Sequence, residues 1–177
     1  MKIENQSSIK LPRHTEKLID KLCSGVPSEH RQNLDRVRLV DRISDPRLKN
    51  IPADLPGLYH PRQGTERPWM EIAMVVLLAP DKPFFKRLMP RLTYKSNVAG
   101  IIFSLIGQHY YLTMRHSVKK TQLEPAVRAY VEKQLRAWNE REHSFRARIF
   151  KPFQPTFERW GRALQKRAAA ANPKRSS

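Results

Sequence analysis

The chain has 177 residues, 40% of them hydrophobic, which is enough for one domain with a core plus a tail but cramped for two independent domains. Lys and Arg exceed Asp and Glu by 34 to 16, and the net charge of +18 predicts attraction to phosphate backbones, anionic membranes or acidic proteins. The single cysteine, Cys23, excludes an internal disulfide and any zinc site built from several cysteines, and we interpret it as a packing residue. Because no apolar secretory signal opens the sequence, we expect a cytoplasmic location.

The first part of the chain predicts a loose segment, a helix and a strand. Residues 1–11 are polar and are expected to form a flexible N-terminus. A helix then begins near Pro12 and ends at Gly25. The segment "DRVRLVDRI" alternates Val37 and Leu39 with charged residues, which is typical of a half-buried strand.

The middle of the chain predicts a small sheet followed by a basic connector. "GLYHPRQGTERPWMEIAMVVLL" indicates two extended stretches joined by a loop that contains glycine, the second stretch being the more buried. "APDKPFFKRLMPRLTYKSN" then predicts a short helix broken at Pro90, with its basic side outward. The candidate anion-binding residues of this connector are Lys82, Lys86, Arg87, Arg91 and Lys95.

A long uncharged helix is predicted for "NVAGIIFSLIGQHYYLTMRH", residues 97–116. From Ser96 to Met114 it contains no Lys, Arg, Asp or Glu, but its polar residues argue against a membrane span and favour a core helix. Steps of three and four place on one apolar face Val98, Ile101, Ile102, Leu105, Ile106, His109 and Leu112. The other face is small and polar, which suits the floor of a cleft, and it carries Gly100, Ser104, Gln108, Tyr111 and Arg115.

The C-terminal part predicts two further helices. "LEPAVRAYVEKQLRAWNEREHSFRAR" has apolar residues at helical spacing and opens with Glu124 beside Pro125. After the break at "KPFQP", residues 151–177 predict a basic helix and tail. We therefore expect a flexible N-terminus over 1–11, a single domain over 12–150, and a basic extension over 151–177.

The order of these elements, with "FSLIGQHYY" at the centre and "EPAVRAYV" opening the next helix, resembles a small zincin-like domain of the metallopeptidase type. In that family a sheet precedes an active-site helix that bears His-Glu-x-x-His; the two histidines bind zinc and the Glu activates the metal-bound water. The resemblance covers roughly residues 55–135. It implies an α+β fold in which a small antiparallel or mixed sheet packs on a long central helix, with additional N- and C-terminal helices.

When this sequence is aligned with the family's motif, other residues stand at the positions of the zinc ligands and the catalytic Glu. Ser104 stands at the first His, Leu105 at the catalytic Glu and Gln108 at the second His. A hydroxyl and an amide are poor zinc ligands beside imidazole, and a Leu side chain has no proton to exchange. The resemblance therefore implies a domain without hydrolytic activity, in which neither zinc nor another cofactor is expected.

Further residues near the motif carry other interpretations. Glu124 falls on the family's third-ligand position and would then face the cleft, but it is equally an acid in the first turn of a helix, where the macrodipole favours it. His109 lies on the apolar face and is interpreted as a hydrogen-bonded core histidine. Tyr111 and Arg115 are polar neighbours of the same cleft.

Two functions from different classes follow from these residues. The first is a non-catalytic binding domain that holds a protein or peptide segment along "WMEIAMVV", with a shallow groove beside Ser104 and Gln108 that Glu124 lines. The second is a basic module that binds nucleic acid or another polyanion through Lys and Arg. An enzyme of another class built on Ser104 and Tyr111 has no supporting spacing in the sequence.

Overall fold

The computed structural model describes the protein in four stretches, with the backbone alone in three shorter ones. The stretches are 1–44, 54–79, 84–113 and 120–150, and the backbone alone is described for 84–92, 120–121 and 143–150. The chain divides into two compact units, Met1–Trp138 and Asn139–Ser177, and the described part of the second is helical as far as Phe150. The basic helix and tail predicted for 151–177 lie outside the described residues.

Within the described residues, four short strands form one mixed sheet in the spatial order β1-β2-β4-β3. The strands are β1 (Lys2–Asn5), β2 (Arg36–Val40), β3 (Gly57–His60) and β4 (Trp69–Ala73). Strand β2 is parallel to both β1 and β4, whereas β3 is antiparallel to β4. The α+β class and the small mixed sheet are those that the sequence predicts.

Four helices and one 3₁₀ turn accompany the sheet in the described residues. They are α1 (Thr15–Ser24), the 3₁₀ turn Ser28–Arg31, α2 (Met74–Leu78), α3 (Phe84–Thr113) and α4 (Lys120–Phe150). Helix α1 ends at Gly25, as predicted. None of the helices in the described ranges combines the length and the apolarity that crossing a membrane requires.

The N-terminal segment differs from its prediction. Residues 1–11, expected to be flexible, contain β1, which pairs with β2. Beyond β1 the Asp41 carboxylate accepts hydrogen bonds from the hydroxyls of Ser7 and Ser8 and, at 2.9 Å, from the Ser8 N–H. These bonds lower the pKa of Asp41, because they favour its charged form. The polar side chains that suggested a loose segment are therefore the groups that attach it to the end of β2.

Two element boundaries also differ from prediction. Helix α3 runs without interruption through Pro90, where the sequence predicted a break. A proline this close to a helix start removes one main-chain bond, and the packing of a thirty-residue helix against the core outweighs that loss. The stretch "MVVLL", predicted to continue the strand β4, forms α2 instead.

One hydrophobic core joins the sheet to α1 and α3. Its most buried side chains include Ile19, Leu22, Val37, Leu39, Met70, Ile72, Val98, Ile102, Phe103 and Ile106. Fully burying one such side chain stabilises the fold by roughly 1.5–3 kcal/mol. Cys23 belongs to this core, and burial raises the pKa of its thiol to about 12, in keeping with a packing residue. Leu112, predicted on the apolar face of α3, is instead 46% exposed.

Candidate binding groove

Two close contacts define what lies on either side of α3. A Cβ atom placed on Gly57 of β3 would lie 2.7 Å from Ile101 Cγ2 and 3.2 Å from Leu105 Cδ1, so β3 packs directly on that side of the helix. A Cβ atom placed on Gly107 would lie 2.9 Å from Tyr130 Cδ1, so α4 packs directly on the other side. Both glycines are required for these approaches, because any larger residue would collide with the neighbouring side chain.

Ser104 and Gln108 face outward between these two contacts, since successive helical residues advance by about 100°. Gln108 Nε2 lies 3.5 Å from Ser104 Oγ, at the long limit of a hydrogen bond. The two side chains form the floor of a cavity of about 510 Å³, here called the α3–α4 groove. The residues of α4 that line it are Leu123, Glu124, Val127, Arg128 and Val131.

Glu124 lines the groove at its rim. Its side chain is 84% exposed and forms an ion pair of 3.2 Å with Arg128, one helical turn further on. Because α4 begins at Lys120, Glu124 lies in the second turn of the helix and Pro125 lies inside it, so the prediction of a first-turn acid is wrong. The helix dipole acts mainly on the first turn and therefore favours this carboxylate less than the sequence suggested.

Leu105, which the sequence resemblance aligns with the catalytic Glu of a zincin, points away from the groove. The side chain is 2% exposed and belongs to the hydrophobic core, in contact with β3 near Gly57. In the part of the chain that the structure describes, no three His, Cys, Asp or Glu side chains are grouped so that they could hold a metal ion. The groove therefore offers a neutral polar floor and an α4 wall that is largely aliphatic, with the Glu124–Arg128 ion pair at its rim.

His109 is a fully buried histidine whose ring nitrogens both have partners. Its Nε2 lies 2.9 Å from the Gln32 carbonyl oxygen, and its Nδ1 lies 2.9 Å from Tyr59 Oη. A carbonyl can only accept, so Nε2 donates the proton and the Nδ1 of a neutral ring accepts from the Tyr59 hydroxyl. Burial lowers the pKa of His109, which favours this neutral form, and raises that of Tyr59 to about 12. The interpretation of His109 as a hydrogen-bonded core histidine is confirmed.

The remaining predicted site residues lie away from the floor of the groove or outside the described residues. Tyr111 is half-buried, and its ring lies nearly perpendicular to that of Tyr130 at a centroid distance of 6.3 Å. Arg115 and Lys82 lie outside the described residues, and so do the side chains of Lys86, Arg87 and Arg91. Lys95 is exposed on α3.

The strand that packs on α3 beside Leu105 is β3, and within the described residues it is an edge strand of the sheet, whereas β4 is not. Because β4 pairs with β2 on one edge and with β3 on the other, a peptide cannot add along "WMEIAMVV", and that part of the binding hypothesis is wrong. In the β3–β4 ladder the Ala73 N–H donates to the Pro56 carbonyl at 3.0 Å. Hydrogen-bonded pairs alternate along an antiparallel ladder, so the main-chain groups of Gly57 and Tyr59 point away from β4, toward the edge of β3 that pairs with no strand in the described residues.

Residues on the opposite face of the sheet form a cluster that the sequence did not indicate. The Trp69 ring stacks on His60 with centroids 3.8 Å apart, and the Arg38 guanidinium lies 4.4 Å from the centre of the same indole. His60 Nε2 lies 3.1 Å from the Glu71 carboxylate, and both side chains are buried. Alternation along each strand places these residues on one face, but only the strand register brings His60 beside Trp69.

Sequence reasoning also missed most of the groove wall. In the sequence Val127 and Val131 recur at helical spacing, which indicates a packed face and not one side of a cavity. No protein-family model, curated protein or solved structure matches this chain.

Proposed function

We propose that this chain is a non-catalytic, zincin-like binding domain that holds a protein segment in extended form along β3, beside the α3–α4 groove. The observation that carries the proposal is the position of Ser104 and Gln108, which face outward between the side of α3 that packs on Gly57 of β3 and the α4 residues that line the groove. In the zincin motif as aligned above, the Ser104 hydroxyl and the Gln108 amide stand at the two zinc-binding histidines, and Leu105 stands at the catalytic Glu.

An extended segment suits this arrangement for two physical reasons. The N–H and C=O groups of Gly57 and Tyr59 are directed to the edge that a further strand would occupy, and main-chain hydrogen bonds supply the affinity in strand addition. Side chains of an extended segment alternate in direction, so every second one can be directed to the α3 side, where the groove lies. Specificity then depends on what the groove accepts.

The test begins with selection of peptides from a random-peptide library against the purified protein. A selected peptide is resynthesised with single N-methyl groups at successive positions. Strand addition requires main-chain N–H groups at every second residue, so we expect binding to be lost with a period of two. Equal tolerance of N-methylation at all positions would contradict strand addition.

A second measurement addresses the non-catalytic part of the proposal. The zinc content of the protein is determined after incubation with zinc and desalting, and hydrolysis of unstructured peptides is followed in parallel. We expect neither stoichiometric zinc nor cleavage, because tight zinc sites need ligands that Ser104 and Gln108 do not supply. Stoichiometric zinc together with cleavage would overturn this part.

The net charge of +18 supports a second candidate, a module that binds nucleic acid or another polyanion. Such a module commonly offers aromatic rings for base stacking, but the Trp69 ring is already stacked on His60 and covered by Arg38. A titration with a single-stranded oligonucleotide at low and high salt tests this candidate. Absence of binding at low salt would remove it.

A further inference from the structure

The α3–α4 groove selects against charge. Its floor of Ser104 and Gln108 is neutral, and most of its α4 wall is aliphatic. The charges at the rim, Glu124 and Arg128, are paired with each other, with side chains 84% and 72% exposed. Among the described residues that line the groove, a charged side chain would lose water without meeting an unpaired opposite charge, which is unfavourable, whereas an apolar side chain would gain by burial.

The uncharged surface extends beyond the groove along α3. Leu112, one turn after Gln108, is 46% exposed. One turn before Ser104, the space that a Cβ on Gly100 would occupy has no neighbouring atom within 4 Å. From Gly100 to Leu112 this surface measures about 18 Å at the usual helical rise. A segment lying here would meet no charge from α3 over that distance.

Outside this uncharged surface the protein is strongly basic. The loop that follows β3 exposes Arg62 and Arg67 against one acid, Glu66, and the chain as a whole carries +18. A segment continuing past His60 along β3 would reach this loop. Charge of this sign attracts acidic partners and raises their rate of association. It also repels a second copy of the same chain.

We propose that the α3–α4 groove is the anchor site for an acidic protein segment. One large uncharged side chain of that segment, apolar or aromatic, enters the groove, and its acidic residues lie near Arg62 and Arg67. This inference rests on the proposed function above and adds the chemistry of the partner. The cavity of about 510 Å³ is large enough to take such a side chain.

The same library selection tests the partner's chemistry. We expect the selected peptides to be enriched in Asp and Glu around one Leu, Met, Phe or Trp, and their affinity to fall as salt is raised. Exchanging the anchor residue for Asp should weaken binding by about tenfold or more. Exchanging the acids for Lys should abolish it at low salt.

Two variants locate the binding surface. Ser104→Arg places a long charged side chain on the groove floor and should weaken the selected peptide by about tenfold, as loss of a buried anchor contact does. Its matched control is Gln6→Arg, which adds the same charge at an exposed position beyond β1. Arg67→Glu should weaken the peptide mainly at low salt, because it acts through long-range charge. Circular dichroism and thermal melting establish that each variant is folded.

The outcomes separate this inference from the proposed function. Peptides that bind with the N-methyl period of two but without acidic or apolar preference would overturn the inference and leave strand addition standing. Failure to select any peptide would overturn both. If a single-stranded oligonucleotide binds, and Ser104→Arg weakens it while peptides do not bind, the surface recognises nucleic acid and the inference is wrong.

Discussion

The polar side chains on the inner and outer sides of α3 differ in burial and in hydrogen bonding. On the inner side His109 is fully buried, and each ring nitrogen has a partner at 2.9 Å. On the outer side Ser104 and Gln108 are partly exposed, and the contact between their side chains is 3.5 Å long. One helix therefore carries a satisfied polar group toward the core and accessible polar groups toward the groove.

This difference indicates which residues serve stability and which remain free to bind. When one partner of a buried hydrogen bond is removed, the remaining group has neither a protein group nor water to bond to. This costs more free energy than the hydrogen bond itself contributes. A half-exposed hydroxyl or amide can exchange its contact for water at little cost. We therefore expect substitutions on the inner side to affect folding, and substitutions on the outer side to affect binding.

The largest effect is expected for His109→Leu. The Tyr59 hydroxyl and the Gln32 carbonyl would both lose their buried partner, and the free energy of unfolding should fall by about 3 kcal/mol. Ser104→Ala on the outer side should change it by less than about 0.5 kcal/mol. Urea denaturation of both variants measures the contrast. Equal effects of the two substitutions would show that the two sides of α3 do not differ in this way.

A pH dependence should follow from the same histidine. Because burial lowers the pKa of His109 in the folded protein, the unfolded chain takes up the proton first as the pH falls. The contribution of the neutral ring is therefore complete above the ordinary imidazole pKa of about 6.5. Below it stability is lost, by at most about 1.4 kcal/mol per pH unit, until the folded pKa is reached.

The measurement compares the parent protein with His109→Gln, which cannot take up that proton. Urea unfolding is recorded between about pH 7 and pH 5, across the ordinary titration range of imidazole. We expect the parent to lose more stability than the variant over this range. Parallel losses would assign the acid sensitivity to other groups.

The two glycines of α3 offer a comparison of intermediate size. Ala is favoured over Gly inside a helix by about 1 kcal/mol, so Gly100→Ala, with open space around its Cβ, should stabilise the protein by up to that amount. At Gly107 the new Cβ would lie 2.9 Å from Tyr130 Cδ1, and we expect a net destabilisation of about 1 kcal/mol. Thermal melting should shift in opposite directions, and a common direction would contradict the close packing of α3 on α4.

The smallest effect concerns the ion pair at the groove rim. Arg128→Ala removes an exposed pair one helical turn apart, which in helices is worth about 0.3–0.5 kcal/mol. Val127→Ala, one residue away but 8% exposed, should cost more because it removes buried methyl groups. Chemical denaturation of the two variants compares rim with wall. A larger loss of stability for Arg128→Ala would show that the ion pair stabilises the fold more than the buried Val127 does.

The elements of the fold could be predicted where the signal is local. Alternation placed Val37 and Leu39 in a strand, and Gly25 ended α1, because pleating and helix termination act over a few residues. The helix break predicted at Pro90 and the strand predicted at "MVVLL" are both wrong, because the signal there is not local. Local preference gave way there to packing against the core, which the chain's own spacing does not reveal.

The candidate site could be predicted only in part. The absence of charge over the central helix indicated a special face, and Ser104 and Gln108 do lie on the floor of a groove that Glu124 also lines. Leu112 was assigned to the core by its spacing, yet it is 46% exposed, because no described element covers the end of α3 there. Spacing identifies which residues share a face but not which faces are covered.

By itself the sequence determined the basic charge, the helical periodicity of α3 and α4, and the absence of Lys, Arg, Asp and Glu between Ser96 and Met114. These are properties of residue identity and of short-range geometry. Tertiary structure alone decided that β3 packs on α3 while β4 lies inside the sheet, that Leu105 points to the core, and that Tyr130 packs over Gly107. Those features depend on strand order and on the contact between helices distant in the chain, which are settled by burial of the common core.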